Sequence, residues 1–161
     1  MLSLGLGVSS LSLSSADITS HNAGLSYALH LGFGITPRLM LVLAMDGAWA
    51  HVSASTFYGY TSFAQTTYTV GAQYYILPWL YARLGLGLGC LEWSDDYGNG
   101  WSDCRGQAGV AGVGGEFLRA RMTSFALEAA ATFARYPQSA DGSDRKDIWY
   151  SIGGNLLVNL F

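Results

Sequence analysis

The sequence predicts an all-β protein, an eight-stranded antiparallel up-and-down barrel that crosses a membrane. Three observations lead to this prediction. Eight segments of strand length alternate large apolar residues with small or polar ones, and their connections alternate between tight turns and longer polar loops. In addition, 50% of the 161 residues are apolar and only 12% are charged. That charged share is about half the usual value for soluble domains, too little for a surface that faces water.

Clusters of Gly, Pro, Asn, Asp and Ser delimit the eight segments. The predicted limits are residues 2–13, 23–35, 39–52, 63–76, 80–93, 105–118, 123–136 and 148–161. Tight turns follow the second, fourth and sixth segments, at Thr36–Arg38, Leu77–Trp79 and Arg119–Met122. Longer polar loops follow the first, third, fifth and seventh segments. An even strand number with short turns at one end and long loops at the other is typical of outer-membrane barrels.

The facing of the strands is read most clearly from "RLGLGLGCLEW", residues 83–93, where three leucines alternate with three glycines. Strict alternation places the leucines on one face and the glycines on the other. In a soluble sheet the second face would carry polar side chains. In a narrow barrel, by contrast, glycines relieve crowding in the lumen while leucines face lipid. The other segments alternate in the same way, and only the sixth leaves its facing ambiguous.

The charges that can be placed within a strand fall on the face opposite to the large apolar residues. The predicted polar residues of the lumen are His30, Asp46, Arg83, Glu116 and Glu128. Glu116 belongs to the ambiguous sixth segment, and we assign it inward, near Arg83 across the hairpin, because an unpaired carboxylate in lipid is costly. Buried charges must be paired, so we expect an ion-pair network in a filled lumen. A proton or ion path is the alternative.

Composition excludes several classes of protein. The net charge is −3 and Lys146 is the single lysine, so no basic patch exists for a nucleic-acid backbone. No uninterrupted apolar run reaches 18 residues, which excludes a transmembrane helix. Met1 leads into the first segment without a basic region or a cleavage site, so we expect a mature chain whose precursor was exported. The chain is expected to form one domain over residues 1–161 and to need no cofactor.

The two cysteines flank the third long loop, and Cys90 and Cys104 are equidistant from Tyr97. In a simple hairpin they would face each other, and an exported protein is exposed to oxidising conditions, so we predict a disulfide. Two unpaired thiols are the alternative. The segment Asp95–Gly100 between them departs from the calcium-binding loop pattern, so we expect an ordinary turn and no metal.

The second long loop carries three aromatic residues without a nearby charge, Phe57, Tyr58 and Tyr60. Exposed aromatic residues on a loop can form a contact patch for a protein or for lipopolysaccharide sugars. They can equally extend the aromatic belt at the membrane interface. His21 and His51 can approach loop serines, but no spacing orders a catalytic triad, so an enzyme is not expected.

Eight amphipathic strands, alternating turn and loop lengths, aromatic edges and a terminal phenylalanine make the chain resemble a known family. This is the small outer-membrane β-barrel family typified by the transmembrane domain of OmpA and by OmpX, and the resemblance covers all 161 residues. It implies two aromatic girdles. Their expected members are Trp79, Tyr81, Tyr74 and Tyr75 at the turns, and Trp149, Tyr136, Trp93 and Trp49 near the loops.

The last strand, "IWYSIGGNLLVNLF", resembles the C-terminal insertion signal of this family. The residues that carry the resemblance are Tyr150, Leu156, Val158, Leu160 and Phe161. Phe161 lies one position out of phase with the apolar face, a departure from the family pattern. The resemblance implies recognition by the barrel assembly machinery during insertion.

The resemblance further implies a Gram-negative outer-membrane location, with periplasmic termini, extracellular loops, and contacts to outer-membrane lipids and lipopolysaccharide. We expect a non-enzymatic barrel with a largely filled polar lumen. Such a barrel would act through its loops on a protein partner, or through its wall on envelope integrity. A narrow channel for small hydrophobic or ionic solutes, resembling the OmpW type, is the main alternative, and a lipid A-modifying enzyme is a third. A soluble lipocalin-like barrel is the structural rival.

Overall fold

A computed structural model describes residues 1–15, 18–51, 62–94, 100–137 and 148–161. The chain forms eight strands in sequence order. They are β1 (Leu2–Ser15), β2 (Ile18–Gly34), β3 (Leu39–His51), β4 (Ser62–Leu77), β5 (Leu80–Ser94), β6 (Gly100–Arg119), β7 (Thr123–Arg135) and β8 (Ile148–Leu160). Among the described residues, no helix is long and apolar enough to cross a membrane.

Each strand pairs antiparallel with the next, and β8 closes the sheet by pairing with β1. The predicted eight-stranded antiparallel barrel is therefore confirmed. A row of cross-strand neighbours that starts at Met40 in β3 returns to β3 at Ala50, ten residues further along. With eight strands, this offset corresponds to a strand tilt of about 40° and a radius of about 8 Å. The lumen is just wide enough for side chains.

The two rims of the barrel differ in their connections. The turn end carries the tight connections β2–β3, β4–β5 and β6–β7. The loop end carries the other four connections, which are β1–β2, β3–β4, β5–β6 and β7–β8. In the β2–β3 turn the Thr36 hydroxyl accepts hydrogen bonds from the backbone N–H groups of Arg38 and Leu39, at 3.3 and 3.0 Å.

Three predicted strand limits are wrong at the loop end. The first connection was expected to be a polar loop after residue 13, but β1 continues to Ser15 and β2 begins at Ile18, which pair with each other. Likewise, β6 begins at Gly100 and not at residue 105. Polar residues tolerate strand geometry when the ladder continues, because strand preference depends on cross-strand partners more than on composition. Strand limits predicted from composition alone were therefore too short in these hairpins.

The predicted facing of β5 is confirmed. Leu84, Leu86 and Leu88 are 67%, 72% and 59% exposed, whereas Arg83 is 1% exposed. The glycines are small for a steric reason: a Cβ added to Gly85 would lie 3.0 Å from both Thr69 Oγ1 and Val110 Cγ1. The inner wall therefore has no room for side chains at such positions, and the bulky groups project outward.

Candidate functional site

The centre of the lumen is occupied by the Arg83 side chain. Its Nη1 donates to Asp46 Oδ2 at 2.9 Å, and its Nη2 donates to Asp46 Oδ1 at 2.9 Å and to Glu128 Oε1 at 2.8 Å. His30 Nε2 lies 3.0 Å from Asp46 Oδ1. The structure thus brings four of the five predicted lumen residues into one network that joins β2, β3, β5 and β7.

This network is almost completely shielded from water, since all four side chains belong to residues that are 1–4% exposed. Burial of charges is unfavourable unless they are paired with good geometry. Here the planar guanidinium meets Asp46 through two parallel hydrogen bonds and still reaches Glu128, an arrangement that arginine supports and lysine does not. The ion pairs therefore tie opposite walls of the barrel together across the lumen.

Glu116, the fifth predicted lumen residue, points inward but does not lie beside Arg83. The cross-strand partner of Arg83 in β6 is Gly112, four residues or about 13 Å along the strand from Glu116. Glu116 instead accepts hydrogen bonds from Arg119 Nε at 2.6 Å and from the Tyr75 hydroxyl at 2.7 Å. The register shift between Glu116 and Leu118 brings Arg119 back toward this carboxylate. The predicted contact with Arg83 is wrong, and a separate ion pair closes the turn end.

Apolar side chains fill the lumen on both sides of the Arg83 network. The cluster toward the loop end consists of Leu11, Ala48, Ala50, Phe63, Leu91, Trp93, Ala108, Ala134, Tyr136 and Trp149. The cluster toward the turn end consists of Ala28, Tyr75, Tyr81, Ala126 and Leu157, with Met40 packed against it. In the first cluster the rings of Phe63 and Trp149 lie 5.5 Å apart between centroids. The charged Arg83 network thus lies between two apolar clusters.

Most of the aromatic residues predicted for the two girdles belong to these lumen clusters. The misassigned residues are Tyr75, Tyr81, Trp93, Tyr136 and Trp149. Three predicted members, Trp49, Tyr74 and Trp79, do face outward. The signal for the correct assignment was present in the sequence, because Tyr81 and Trp93 lie an even number of residues from the inward-facing Arg83.

Cys90 and Cys104 are joined by a disulfide. The bond connects β5 to β6 where the register shifts between Gly89 and Leu91. It lies at the loop end, next to the segment that was expected to form an ordinary turn. Most of that segment lies outside the described residues, as do Phe57, Tyr58 and Tyr60 of the expected contact patch.

His30, Asp46 and Glu128 each offer one ligand atom within 4.8 Å of the others, a geometry that can suit a metal ion. The negative charges of Asp46 and Glu128 already have a cationic partner, because the Arg83 guanidinium donates hydrogen bonds to both carboxylates. A metal ion at the same place would be repelled by this cation. The donor set therefore fits an ion-pair network and not a metal site.

A serine and a histidine do meet near the loop end, although not the serines that were expected. The Ser12 hydroxyl lies 2.6 Å from His21 Nδ1, and the His21 ring contacts the edge of Tyr150. Ser12 is only 3% exposed, and no carboxylate among the described residues is hydrogen-bonded to His21. Nucleophilic catalysis needs an accessible hydroxyl and an oriented base, and this pair offers neither.

The residues of the expected insertion signal end the chain at the turn end. Leu156 and Leu160 are exposed on the outside of the barrel, and Phe161 is exposed at the turn-end rim, where it borders a cavity with Met40 and Tyr75. Phe161 follows the last residue of β8, and its backbone N–H donates to the Met122 carbonyl at 3.0 Å. The recognition of this segment by an assembly machine stays a prediction.

Comparison with known proteins places the fold. No protein-family model matches the chain, and no curated protein matches it. Among solved structures, Neisserial surface protein A (NspA) superposes with a TM-score of 0.64 at 13% identity, over 99% of this chain and 97% of that one. The attachment invasion locus protein Ail of Yersinia pestis, in complex with the heparin analogue sucrose octasulfate, gives 0.51 at 15% identity, over 97% of each chain.

At these identities the likeness concerns the fold alone. Both neighbours are small eight-stranded outer-membrane β-barrels, and the closed eight-stranded barrel described above is of that type. The class of protein is therefore a membrane barrel with an outward apolar surface.

Proposed function

We propose that this protein is an integral barrel of the Gram-negative outer membrane that acts through its surfaces and neither transports solutes nor catalyses a reaction. The loop end faces the exterior and the turn end, with both termini, faces the periplasm. The wall contacts outer-membrane lipids and lipopolysaccharide, and the loops are available to a protein partner. Insertion uses the barrel assembly machinery through the last strand.

The apolar outer surface supports the membrane location. Leu6, Val8, Leu84, Leu86 and Ile152 are each more than 60% exposed. An exposed patch of this extent would be unfavourable in water, and lipid is the solvent that accepts it. Closure of the sheet serves the same solvent, because lipid cannot hydrogen-bond a free strand edge.

The closed lumen is the observation on which the proposed function depends. Arg83 bridges Asp46 and Glu128 across the centre, and apolar clusters lie on both sides of this layer. At the turn end Arg119 pairs with Glu116 and also donates to the Pro78 carbonyl at 2.6 Å. An ion entering from either rim must cross an apolar cluster before it reaches the Arg83 network, which favours a filled barrel over a channel.

Conductance in planar bilayers tests this proposal. The refolded wild-type protein should give no unitary conductance, since three layers obstruct the lumen. Arg83→Ala should also be silent, because it removes only the central layer and leaves both apolar clusters. Trp79→Ala, at an exposed residue outside the lumen, is the matched control. Reproducible unitary currents from the wild type that Arg83→Ala or Glu128→Ala alters would contradict the closed lumen and support a channel.

Two further measurements address the membrane and the enzyme alternatives. In detergent, boiled and unboiled samples should migrate differently on a gel, because a closed barrel resists unfolding by detergent until heated. Solubility without detergent would instead support a soluble lipocalin-like barrel. The mass of lipid A should be unchanged when the protein is co-expressed, and a modified lipid A would refute the non-enzymatic assignment.

A further inference from the structure

A groove crosses the outside of the barrel at the loop end. Its floor and walls come from a row of direct cross-strand neighbours in β3, β4, β5 and β6, which are Trp49, Ala64, Glu92 and Ser102. The row beside it, closer to the rim, contains Ser62 and Ser94, whose hydroxyl oxygens lie 2.9 Å apart. Together with Trp101 these residues line a cavity of about 430 Å³.

The shape of the groove follows from the size of Ala64. Trp49 and Glu92 stand on either side of it, two strand spacings or about 10 Å apart. Between them the surface carries only a methyl group, so an indole forms one wall and a carboxylate forms the other. Trp49 is 43% exposed, which leaves its indole surface available to a ligand. Trp101 is the cross-strand partner of the inward-facing Trp93 and stacks on it, with 4.0 Å between ring centroids, so it borders the cavity at the rim.

Two ionisable side chains belong to the two rows of the groove: Glu92, and His51, which is the cross-strand partner of Ser62 in the row closer to the rim. Glu92 is exposed, and none of the ion pairs formed among the described residues includes it. Indole faces carry the negative side of an aromatic quadrupole and attract cations. The serine hydroxyls add oxygen atoms that accept hydrogen bonds. A groove with this lining attracts a cation and repels an anion.

We propose that this groove binds an organic ammonium group of the choline or ethanolamine type. Trp49 contacts the ammonium group through its indole face, Glu92 supplies the opposite charge, and the serine hydroxyls accept hydrogen bonds from the ligand. The proposal goes beyond the function proposed above and does not depend on whether the lumen conducts. Because Trp49 faces outward beside the apolar surface, the ammonium group can belong to a free amine or to a lipid head group.

Charge recognition is tested by comparing choline with 3,3-dimethylbutan-1-ol, which has the same shape without the charge. The refolded protein is titrated in uncharged detergent, and the indole N–H resonance of Trp49 is followed by NMR. Choline should bind about five- to tenfold more tightly than the neutral alcohol. Equal binding of the two compounds, or no saturable shift with choline, would overturn the proposal.

Three variants assign the binding to the groove. Glu92→Gln keeps the size and removes the charge, and should weaken choline binding about fivefold. Trp49→Leu, followed through the Trp101 resonance, should weaken it to a similar extent. Trp79→Leu removes an exposed tryptophan at the turn end and should leave the affinity unchanged. The boiled and unboiled gel shift shows that each variant is folded, and a folded Glu92→Gln protein with wild-type affinity would refute the assignment.

Two additional titrations distinguish the sources and the competing ligand class. If the ammonium group comes from lipid, nanodiscs with phosphatidylethanolamine should shift the Trp49 resonance relative to nanodiscs with phosphatidylglycerol. If only soluble choline shifts the resonance, the ligand is a free amine. Both results support the proposal. Maltose in place of choline tests a saccharide, and saturable binding of maltose without binding of choline would overturn the ammonium assignment. Bilayer conductance tests the closed lumen and does not depend on the groove. The proposed function and the ammonium site can therefore fail independently.

Discussion

Replacement of Arg83 by methionine is the most informative perturbation of the lumen. Methionine fills much of the same volume but leaves Asp46 and Glu128 buried without their cation, because Arg83 supplies three hydrogen bonds to these two carboxylates. His30 remains as the other partner of Asp46. We therefore expect Arg83→Met to destabilise the barrel strongly while leaving its outward surface unchanged.

The magnitude follows from the contacts. Hydrogen bonds to charged groups contribute about 1.5–3 kcal/mol each, so three of them set a gross upper bound of about 5–9 kcal/mol. Part of this is recovered when a carboxylate takes up a proton or gains water. Removal of one partner from a buried ion pair costs about 3–5 kcal/mol in measured cases. We therefore expect Arg83→Met to lower the free energy of unfolding by about 3–5 kcal/mol.

Urea unfolding in lipid vesicles, followed by tryptophan fluorescence and by the gel shift, measures this loss. Arg121→Met is the matched control, because Arg121 is exposed at the turn end and takes part in none of the ion pairs among the described residues. The control should change stability little. A triple variant that adds Asp46→Asn and Glu128→Gln to Arg83→Met should recover part of the loss. Equal stability of Arg83→Met and the wild type would refute the view that the network holds the walls together.

Three further outcomes are expected. Replacement of Cys90 and Cys104 by alanine should lower the free energy of unfolding by about 3 kcal/mol, since the bond closes a loop with a sequence separation of 14; dithiothreitol should have no effect on that variant. Gly85→Ala should cost about 1–3 kcal/mol by crowding the lumen, whereas Gly154→Ala, with nothing within 4 Å of its added Cβ, should be neutral. Trp93→Ala should cost about 3–5 kcal/mol, and an unchanged urea midpoint would argue against its packing in the lumen.

Alternation in the sequence was sufficient to predict the barrel and most of its facing. Where leucines alternate with glycines and the solvent is lipid, only one facing is possible, with the leucines outward. In the structure Leu84 is exposed and Arg83 is buried. The inward position of Asp46 and Glu128 followed in the same way. The aromatic residues were misplaced because they were assigned to the girdles that the family resemblance implies. Alternation along β5 instead places Trp93 inside the barrel, on the same face as Arg83.

The partners of the inward charges were not predictable in the same manner. Alternation says that Glu116 and Arg83 share the inner face, but their separation depends on the register of β5 and β6 and on the irregularity after Glu116. The groove at Trp49 and Glu92 was also missed, because its residues come from different hairpins. A count of spacings along the chain contains no information on the register between neighbouring hairpins.

The sequence by itself determined the strand number, the antiparallel order and the face of most side chains, because these follow from a period of two and from the length of each connection. Only the tertiary structure decided which side chains meet across the lumen and along the outer wall. Those contacts depend on the offset accumulated as the sheet closes. An offset changed by two residues would keep every side chain on its face and yet give Arg83 and Glu92 different neighbours.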